Sequence, residues 1–408
     1  MSVKMMVALL TLSACGAQAA DLKTCISLAQ QNSPLLKAYE SKLAASASAY
    51  EKDKKAGLPQ ITGSAGAGYY QYGDEADLSN GVAAQVAVAV NWDLEKYSAK
   101  IANLSAIELE RNGLLKTMAQ NQIAQDVSVD YYKLYVLEGK KADYAAAATY
   151  FETHIKDIDR LQSAGVDVKL DLIRAGMQLK TLRAEAEDLQ GDIDETLLSL
   201  NSATGGALKE TGLDFSALPD PKDQTAQVAL PSAETLYPAK LDELDTKSAL
   251  ESSRQSEYNN MPSLQFGVER NVHAMDPNTE QYHGYVALNF NIFDYGAHLR
   301  ERDELKKTAQ YQSDAARDNL KKLQLSVAQL AQEIKLSANA CLRARETLSD
   351  ANASLDTAAL YYRQGKIKET DLLSTFSDYF EVQKKTRDTL DEYLSKKNQF
   401  DHLLGSAK

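Results

Sequence analysis

Two stretches of the chain alternate between apolar and small or polar positions with a period of two. One face is apolar throughout Val82–Asp93, and so is one face of Tyr282–Phe293. The apolar positions are Val82, Ala84, Val86, Val88, Val90 and Trp92 in the first stretch and Tyr282, Gly284, Val286, Leu288, Phe290 and Ile292 in the second. This alternation predicts β-strands with one apolar face. Polar loops at Gly73–Asp77 and Met275–Asn278 predict that each strand is half of a hairpin.

Two other stretches, Tyr97–Ser163 and His298–Gln364, contain no proline and hardly any glycine. Each has about 67 residues, and a continuous helix of that length would extend roughly 100 Å. The second stretch has apolar residues spaced three, four or seven positions apart, at Leu320, Leu323, Val327, Leu330, Ile334, Cys341 and Leu348. This spacing predicts a coiled-coil seam, with Cys341 as a small buried apolar residue.

Three segments of the first half recur in the second half, in the same order and about 200 positions later. The pairs are Ala56–Gln60 with Asn259–Ser263, Val88–Leu94 with Val286–Ile292, and Gly165–Leu172 with Gly365–Leu372. Such self-similarity indicates an internal duplication. Each half is predicted to run helix, strand, strand, very long helix, turn and helix.

The predicted repeats are separated by a segment rich in proline, glycine and aspartate. The first repeat covers 21–204 and the second 232–408, and the linker or small packed excursion between them covers 205–231. Within the first repeat the expected strand pair is 60–93, the long helix 96–163 and the last helix 170–204. The corresponding ranges in the second repeat are 263–293, 296–364 and 370–404.

The first twenty residues have the organisation of a secretory signal peptide. Lys4 supplies the positive charge, Met5–Ala14 is a short apolar stretch, and Ala17–Ala19 has the small residues of a cleavage site. The mature chain is therefore predicted to begin near Ala20 or Asp21, outside the cytoplasm.

Leu12–Cys15 also fits the pattern of a lipidation site, so the sequence leaves two kinds of N-terminus open. We expect that Cys15 is not lipidated. A helix from Leu22 to the first strand would place the N-terminus roughly 50 Å from the membrane. The residues between Cys15 and Asp21 extend only about 20 Å.

Composition excludes several classes of function. The chain has 408 residues, of which 44% are hydrophobic, and a formal net charge of −12, which argues against binding nucleic acid. The mature part has two cysteines, Cys25 and Cys341, too few for a disulfide scaffold. The five histidines have no metal-ligand spacing, and we find no catalytic or cofactor-binding motif. We therefore expect no enzyme activity, no cofactor and no metal.

The number of predicted strands limits how the chain could form a membrane barrel. No stretch after the signal peptide reaches the ~18 apolar residues of a membrane helix, but the strands are long enough to cross an outer membrane. Four strands cannot close a barrel, because known spanning barrels begin at about eight. The chains must therefore pool strands in an oligomer, with the long helices forming a tube below. An exported coiled-coil spacer or stalk remains the alternative, although a stalk has no need of strand hairpins.

Three features together resemble the TolC-like outer-membrane factor family across essentially the whole mature chain. They are Phe293–Gly296 before a long helix, Leu58-Pro59 before the first strand, and the duplicated Gly-x5-Asp-Leu turn. In the first repeat, Leu94–Ser98 departs from the family pattern. The resemblance implies a mainly α fold with a membrane β-barrel part, in which a trimer pools twelve strands above a periplasmic α-helical barrel.

The same resemblance implies a function and partners. The chain would be the passive exit duct of a tripartite efflux pump or type I secretion system, in the outer membrane of a Gram-negative cell. Its partners would be two further copies of itself, a periplasmic adaptor, an inner-membrane pump or ABC transporter, and outer-membrane lipid.

The resemblance also implies a gate at the periplasmic end. Asp371 matches an aspartate of an acidic ring at the entrance, and Ser374 stands where the family has a second one. Glu369 is a candidate to complete the ring. The alternative is that Asp371 and Asp171 only cap the starts of their helices.

A second part of the implied gate is a latch. Tyr362 matches a tyrosine that helps to hold the entrance closed, with Asp171 as its partner. The arginine of the family's latch falls on Ile367, so Lys366 or Lys368 would have to replace it, without the planar fork of arginine. The alternative is that Tyr362 is an ordinary packing residue.

Overall fold

A computed structural model of the single chain describes residues 19–72, 79–163, 165, 168–206, 208, 212–216, 218–224, 231–258, 261–273, 281–290, 292 and 294–405. The signal-peptide segment 1–18 with Cys15, and the hairpin loops predicted at Gly73–Asp77 and Met275–Asn278, lie outside these residues. The expectations for those segments stay predictions.

The described part of the chain is mostly helical with one antiparallel sheet, which confirms the predicted fold class. The eight helices found there are α1 Leu22–Asn32, α2 Pro34–Ala56, α3 Leu94–Ala99, α4 Ala102–Ser163, α5 Lys169–Ala203, α6 Tyr237–Gln255, α7 Ala297–Arg363 and α8 Glu369–Leu404. The strands are β1 Gln60–Tyr72, β2 Ser79–Asp93, β3 Ser263–His273 and β4 Gln281–Asn289. Short 3-10 turns lie at Pro221–Gln224, Ala233–Thr235 and Ser256–Tyr258. None of the described helices combines the length and apolarity needed to cross a membrane.

The first long helix differs from the expected range 96–163, because it is interrupted at Lys100. This residue has a left-handed backbone conformation with φ 50°. The Arg254 guanidinium donates a hydrogen bond of 2.9 Å to the carbonyl of Ala99 and so caps the end of α3. In the second repeat the positive φ angles fall on Tyr295 and Gly296, directly before α7. The first repeat lacks that Tyr-Gly pair and makes its left-handed turn after α3.

Two compact units are present, and neither coincides with a sequence repeat. One, here called the sheet unit, contains 38–116 and 238–321. The other, here called the helical unit, contains 1–37, 117–237 and 322–408. Each unit combines parts of both repeats, so neither repeat forms a compact unit by itself.

The sheet unit contains the four strands in the order β1-β2-β3-β4, all antiparallel. The central pair, β2 with β3, joins the two halves of the duplicated chain and sets Val88 opposite Val268. On the next strand Val286 lies opposite Phe266. Because side chains alternate between the two faces of a strand, this register gathers the apolar positions of both repeats on one face.

The two faces of the sheet differ in chemistry, as the alternation predicts. The apolar face is exposed in the single chain, with exposures of 54% at Val86, 53% at Val88, 57% at Val268, 70% at Val286 and 52% at Leu288. The opposite face is polar. Asn91 donates to the Thr62 hydroxyl over 2.7 Å, and Gln85 donates to the Glu269 carboxylate.

The helical unit contains three clusters of buried apolar side chains. The first joins α1, α4 and α5 around Cys25, Tyr131 and Leu200. The second joins α4, α7 and α8 around Ile334, Cys341 and Tyr393, which confirms Cys341 as a buried residue of the predicted seam. The third, here called the turn cluster, lies beside the α4–α5 and α7–α8 turns. It contains Tyr144, Ala147, Phe151, Ile158, Val168, Ala175, Leu182, Leu355, Leu372, Phe376 and Phe380.

Part of the segment between the repeats is packed against the start of the chain. Ala20 is buried and forms a parallel bridge with Leu213. Its N–H donates to the Gly212 carbonyl over 2.7 Å, and its carbonyl accepts from the Asp214 N–H over 3.0 Å. These described residues form an ordered excursion and not a bare linker.

We expect opposite effects from the same substitution at two glycines of the helical unit. Gly405→Ala should lower the free energy of unfolding by about 1–2 kcal/mol or more, because φ is 65° and a Cβ would meet the Tyr237 ring at 2.1 Å. Gly191→Ala should raise it by up to ~1 kcal/mol, because Gly191 lies within α5 and a Cβ there meets nothing within 4 Å. Urea unfolding in detergent, followed by circular dichroism, measures both; equal shifts would contradict the difference in backbone strain between the two sites.

Candidate gate at the helix turns

The turn between α7 and α8 is built on a left-handed glycine. Gly365 has φ 67° and donates its N–H to the Tyr362 carbonyl over 2.8 Å, while the Lys366 N–H bonds to the Tyr361 carbonyl over 2.9 Å. This pair of bonds is the Schellman ending of a helix. Gly165, in the turn between α4 and α5, also has a positive φ, 90°. The third duplicated segment is therefore a pair of helix endings in which glycine is favoured by the backbone.

Asp371 lies in the first turn of α8 with its side chain exposed. One carboxylate oxygen accepts the backbone N–H of Lys368 over 3.1 Å. The capping role is thus present, and the exposure leaves the side chain accessible for a second role. Ser374, one turn further along α8, is also exposed. The ammonium of Lys366 lies 5.4 Å from the centre of the Tyr361 ring, an arrangement typical of a cation–π contact.

Glu369 lies elsewhere than an exposed acidic ring requires. It is the first residue of α8, it is only 3% exposed, and it contacts α4. Both of its carboxylate oxygens are 2.9 Å from Nε2 of His154, which is itself 8% exposed. The structure therefore separates two residues that were expected to share an acidic ring: Asp371 is at the surface and Glu369 is buried.

Tyr362 joins this buried pair from α7. Its ring centre is 5.2 Å from that of His154, and the Glu369 carboxylate lies close enough to influence its hydroxyl. Burial, followed by the charges of Glu369 and Asp171, raises the pKa of Tyr362 above its ordinary value. Tyr362 therefore stays a protonated donor at physiological pH. The pairing of Asp171 with Tyr362, which the family resemblance implies, stays a prediction.

A group of packed aromatic rings lies beside these polar groups. Phe376 packs edge-on to Phe151 at 4.6 Å, and Tyr150 stacks on Phe376 at 5.5 Å with an angle of 14° between the rings. Phe380 continues the stack from Phe376 at 5.7 Å. Burial and the charge of Glu369 raise the pKa of Tyr150 to about 12. Packed rings of this kind hold the neighbouring side chains in defined positions.

Two arginine side chains lie at the edge of these aromatic and polar residues. Asp157 on α4 pairs with Arg160 at 3.1 Å and with Arg363 of α7 at 3.6 Å. A cavity of about 40 Å³ lies between these groups and is lined by His154 and Tyr362 among others. It is large enough to hold a water molecule beside the buried polar groups.

His154 could not be identified as a site residue from the sequence. It lies 215 positions from Glu369, and none of its neighbours along the chain identifies a partner. The duplication contained one indication. At an offset of 200 the counterparts of His154 and Glu369 are Ser354 and Lys169, so the pair breaks the symmetry of the two halves. Within the part of the chain that the structure describes, no cluster of three or more His, Cys, Asp or Glu side chains could hold a metal.

Comparison with known proteins decides the family. The model of the outer membrane efflux protein family matches residues 25–206 and 240–406. The chain belongs to the outer membrane efflux protein family. No curated protein sequence matches it.

Solved structures of outer-membrane channels share this fold. CusC has a TM-score of 0.81 at 13% identity, with 94% of this chain and 91% of that chain covered. The outer membrane protein VceC of Vibrio cholerae has a TM-score of 0.78 at 13% identity, with 94% and 96% covered. The open state of the MtrE channel of Neisseria gonorrhoeae has a TM-score of 0.76 at 12% identity, with 95% and 89% covered.

Membership of the outer membrane efflux protein family establishes the main expectations from the sequence. The chain is an outer-membrane efflux exit channel, and a large helical part of it is periplasmic. The alternative of a coiled-coil stalk is not favoured. The roles of Asp371, Asp171, Tyr362, Lys366 and Lys368 in a gate stay predictions.

We expect Tyr362→Phe to lower the free energy of unfolding by about 1 kcal/mol, because it removes a polar hydroxyl from beside the buried Glu369 carboxylate. The neighbouring variant Tyr361→Phe is the matched control, since Tyr361 is 43% exposed and its ring face stays available to Lys366. Denaturant unfolding in detergent distinguishes the two. Equal stability of both variants would show that the hydroxyl of Tyr362 has no structural partner.

Proposed function

We propose that three copies of the chain pool their strands into a closed barrel of twelve that forms a passive duct through the outer membrane. The carrying observation is the four-stranded sheet whose apolar face is exposed in the single chain. An apolar band suits lipid, but β1 and β4 are the two edges of this sheet, and an open edge is not tolerated in a bilayer. Pairing β1 of one copy with β4 of the next removes every edge.

The polar face supports the same arrangement. Strands of a membrane barrel alternate between lipid and lumen. With the valines directed to lipid, the lumen receives Thr62, Gln85, Asn91 and Glu269, which hydrogen-bond across the strands in pairs. These side chains suit a water-filled channel.

The proposal includes partners and excludes enzyme activity. A passive duct supplies no energy, so transport would be driven by an inner-membrane pump or ABC transporter and joined to the duct by a periplasmic adaptor. The chain would use no cofactor and bind no nucleic acid, which agrees with its net charge of −12. Family membership supports the efflux role, and a type I secretion system is the second setting that the resemblance allows.

The gate would lie at the periplasmic end, where the two turns are. Three symmetry copies of Asp371 would form a carboxylate constriction that attracts cations. Its exposure supports this role. Asp171 and Tyr362 would act in the latch, with Lys366 and Lys368 at the rim.

We expect the mature protein to purify in detergent as a heat-modifiable trimer from outer-membrane fractions, because four strands per chain require pooling. Native mass spectrometry in detergent measures the stoichiometry. A monomer that stays soluble without detergent would refute the barrel.

Two matched variants test which face of the sheet is directed to lipid. Val286→Arg should prevent membrane assembly, since arginine facing lipid costs about 2–4 kcal/mol per chain at the bilayer centre. Ala287→Arg, one residue later on the opposite face, should assemble and change ion selectivity. Assembly of both variants would contradict the orientation of the sheet.

We expect Asp371→Asn to weaken block by divalent and polyvalent cations in planar-bilayer recordings, because three carboxylates leave the constriction. Trimers should form normally, since a substitution at a helix start costs only ~1 kcal/mol. Asp350→Asn, which removes an exposed carboxylate from α7, is the control. If cation block is unchanged in Asp371→Asn, the side chain is only a cap.

A further inference from the structure

The buried contact between His154 and Glu369 connects two elements that are distant in the chain. His154 lies in the last third of α4, and Glu369 is the first residue of α8, directly after the α7–α8 turn. The 2.9 Å distances to both carboxylate oxygens indicate that the imidazole faces the carboxylate squarely. Any movement of the turn away from α4 must break this contact.

The contact occurs once in a duplicated chain. At the corresponding places of the other turn, Lys169 is exposed and Ser354 replaces the histidine. The fold of a helix ending therefore does not require the pair, because the first turn is built without it. Because the His154–Glu369 pair is present only at the second turn, it indicates a function specific to that turn.

Burying a pair of ionisable side chains costs desolvation free energy. Apolar side chains of similar volume are often as stabilising or more so. Here the turn cluster supplies many apolar side chains, and yet a polar pair lies beside them. A buried polar group that costs stability is reasonable where two states have to be distinguished.

Charged and titratable side chains from several helices surround the imidazole. The titratable and charged groups that face it come from α4, α7 and α8: Tyr150, Asp157, Tyr362, Arg363 and Glu369. Tyr362 is a neutral donor, and Asp157 is offset by its arginine partners. Glu369 remains as the negative charge in contact with the ring. The small cavity gives water a place beside it.

We propose that His154 and Glu369 form a proton-sensitive latch that holds the α7–α8 turn against α4 and keeps the channel closed. Neutral histidine donates an ordinary hydrogen bond to the carboxylate, whereas the imidazolium donates a charge-assisted bond of about twice the strength. Histidine changes charge between about pH 5 and pH 8. Mild acid therefore tightens the latch and neutral or alkaline pH loosens it. Gly365, left-handed and without contacts at its Cβ position, serves as the pivot.

This inference rests on the proposed conduit, and it deepens the proposed gate. The implied tyrosine–aspartate pairing would position Tyr362, whose raised pKa keeps it protonated near neutral pH. His154 adds a response to pH that acts from the buried side of the turn.

The test compares the wild type with His154→Gln in planar bilayers between pH 6 and pH 8. Glutamine still donates an N–H to Glu369 but cannot take up a proton. We expect the resting open fraction of the wild type to fall at least severalfold from pH 8 to pH 6, and that of His154→Gln to stay nearly constant and roughly tenfold higher at pH 6. His402→Gln, the same substitution at the other end of α8, should behave as the wild type.

A double-mutant cycle with Glu369→Gln checks that the two side chains act together. The effects of His154→Gln and Glu369→Gln on the open fraction at pH 6 should be strongly non-additive. Additive effects, or a pH profile of His154→Gln equal to that of the wild type, overturn the latch.

A second measurement does not depend on conduction. Amide hydrogen exchange of 366–372 in the detergent-solubilised protein should be slower at pH 6 than at pH 8, after correction for the intrinsic pH dependence of exchange. This protection should disappear in His154→Gln but not in His402→Gln. If the wild type never conducts, the conduit proposal fails, whereas unchanged protection in His154→Gln refutes the latch alone.

Discussion

Every backbone N–H and C=O group inside a bilayer must be paired within the protein, because hydrocarbon offers no partner. The sheet of this channel has four strands and hence two edges, together with an apolar face that is exposed in one chain. Neither feature suits a monomer in water or in lipid. The proposed oligomer, which pools four strands from each duplicated chain, and the proposed lumen on the polar face both meet this one requirement.

The two turns of the helical unit share a backbone feature and differ in the side chains around it. Gly165 and Gly365 make the same kind of helix ending, so the backbone problem is solved twice in one way. The side chains around them then diverge. The second turn is tied to α4 by Glu369, His154 and Tyr362, and the first has a lysine and a serine in the corresponding places. The shared glycine turns reflect a common backbone requirement, and the proposed gate gives a reason for the difference in side chains.

The same divergence occurs where the strands lead into the long helices. In the second repeat Tyr295 and Gly296 turn the chain immediately before α7. In the first repeat a short helix intervenes, and Lys100 adopts the left-handed conformation with the Ala99 carbonyl capped by Arg254. A non-glycine residue tolerates this conformation at a cost of about 1–2 kcal/mol, which the surrounding contacts offset.

The sequence by itself determined the period of every main element, because period two and period 3.6 require different residues at neighbouring positions. It therefore predicted the two-faced strands, the long helices, the seam through Cys341 and the glycine turns. It also predicted the family, since the duplicated turn and the Phe293–Gly296 segment are local patterns. It did not predict the interruption at Lys100, because the cap comes from a helix far along the chain.

Only the tertiary structure decided which charged residues are buried. Glu369 and Asp371 are two positions apart, and no local rule distinguishes a carboxylate that faces α4 from one that faces solvent. On a helix the two positions point in directions about 200° apart, and the packing of α8 against α4 determines which of them is covered. The partner His154 is 215 positions away, so its pairing with Glu369 exists only once the helices are assembled.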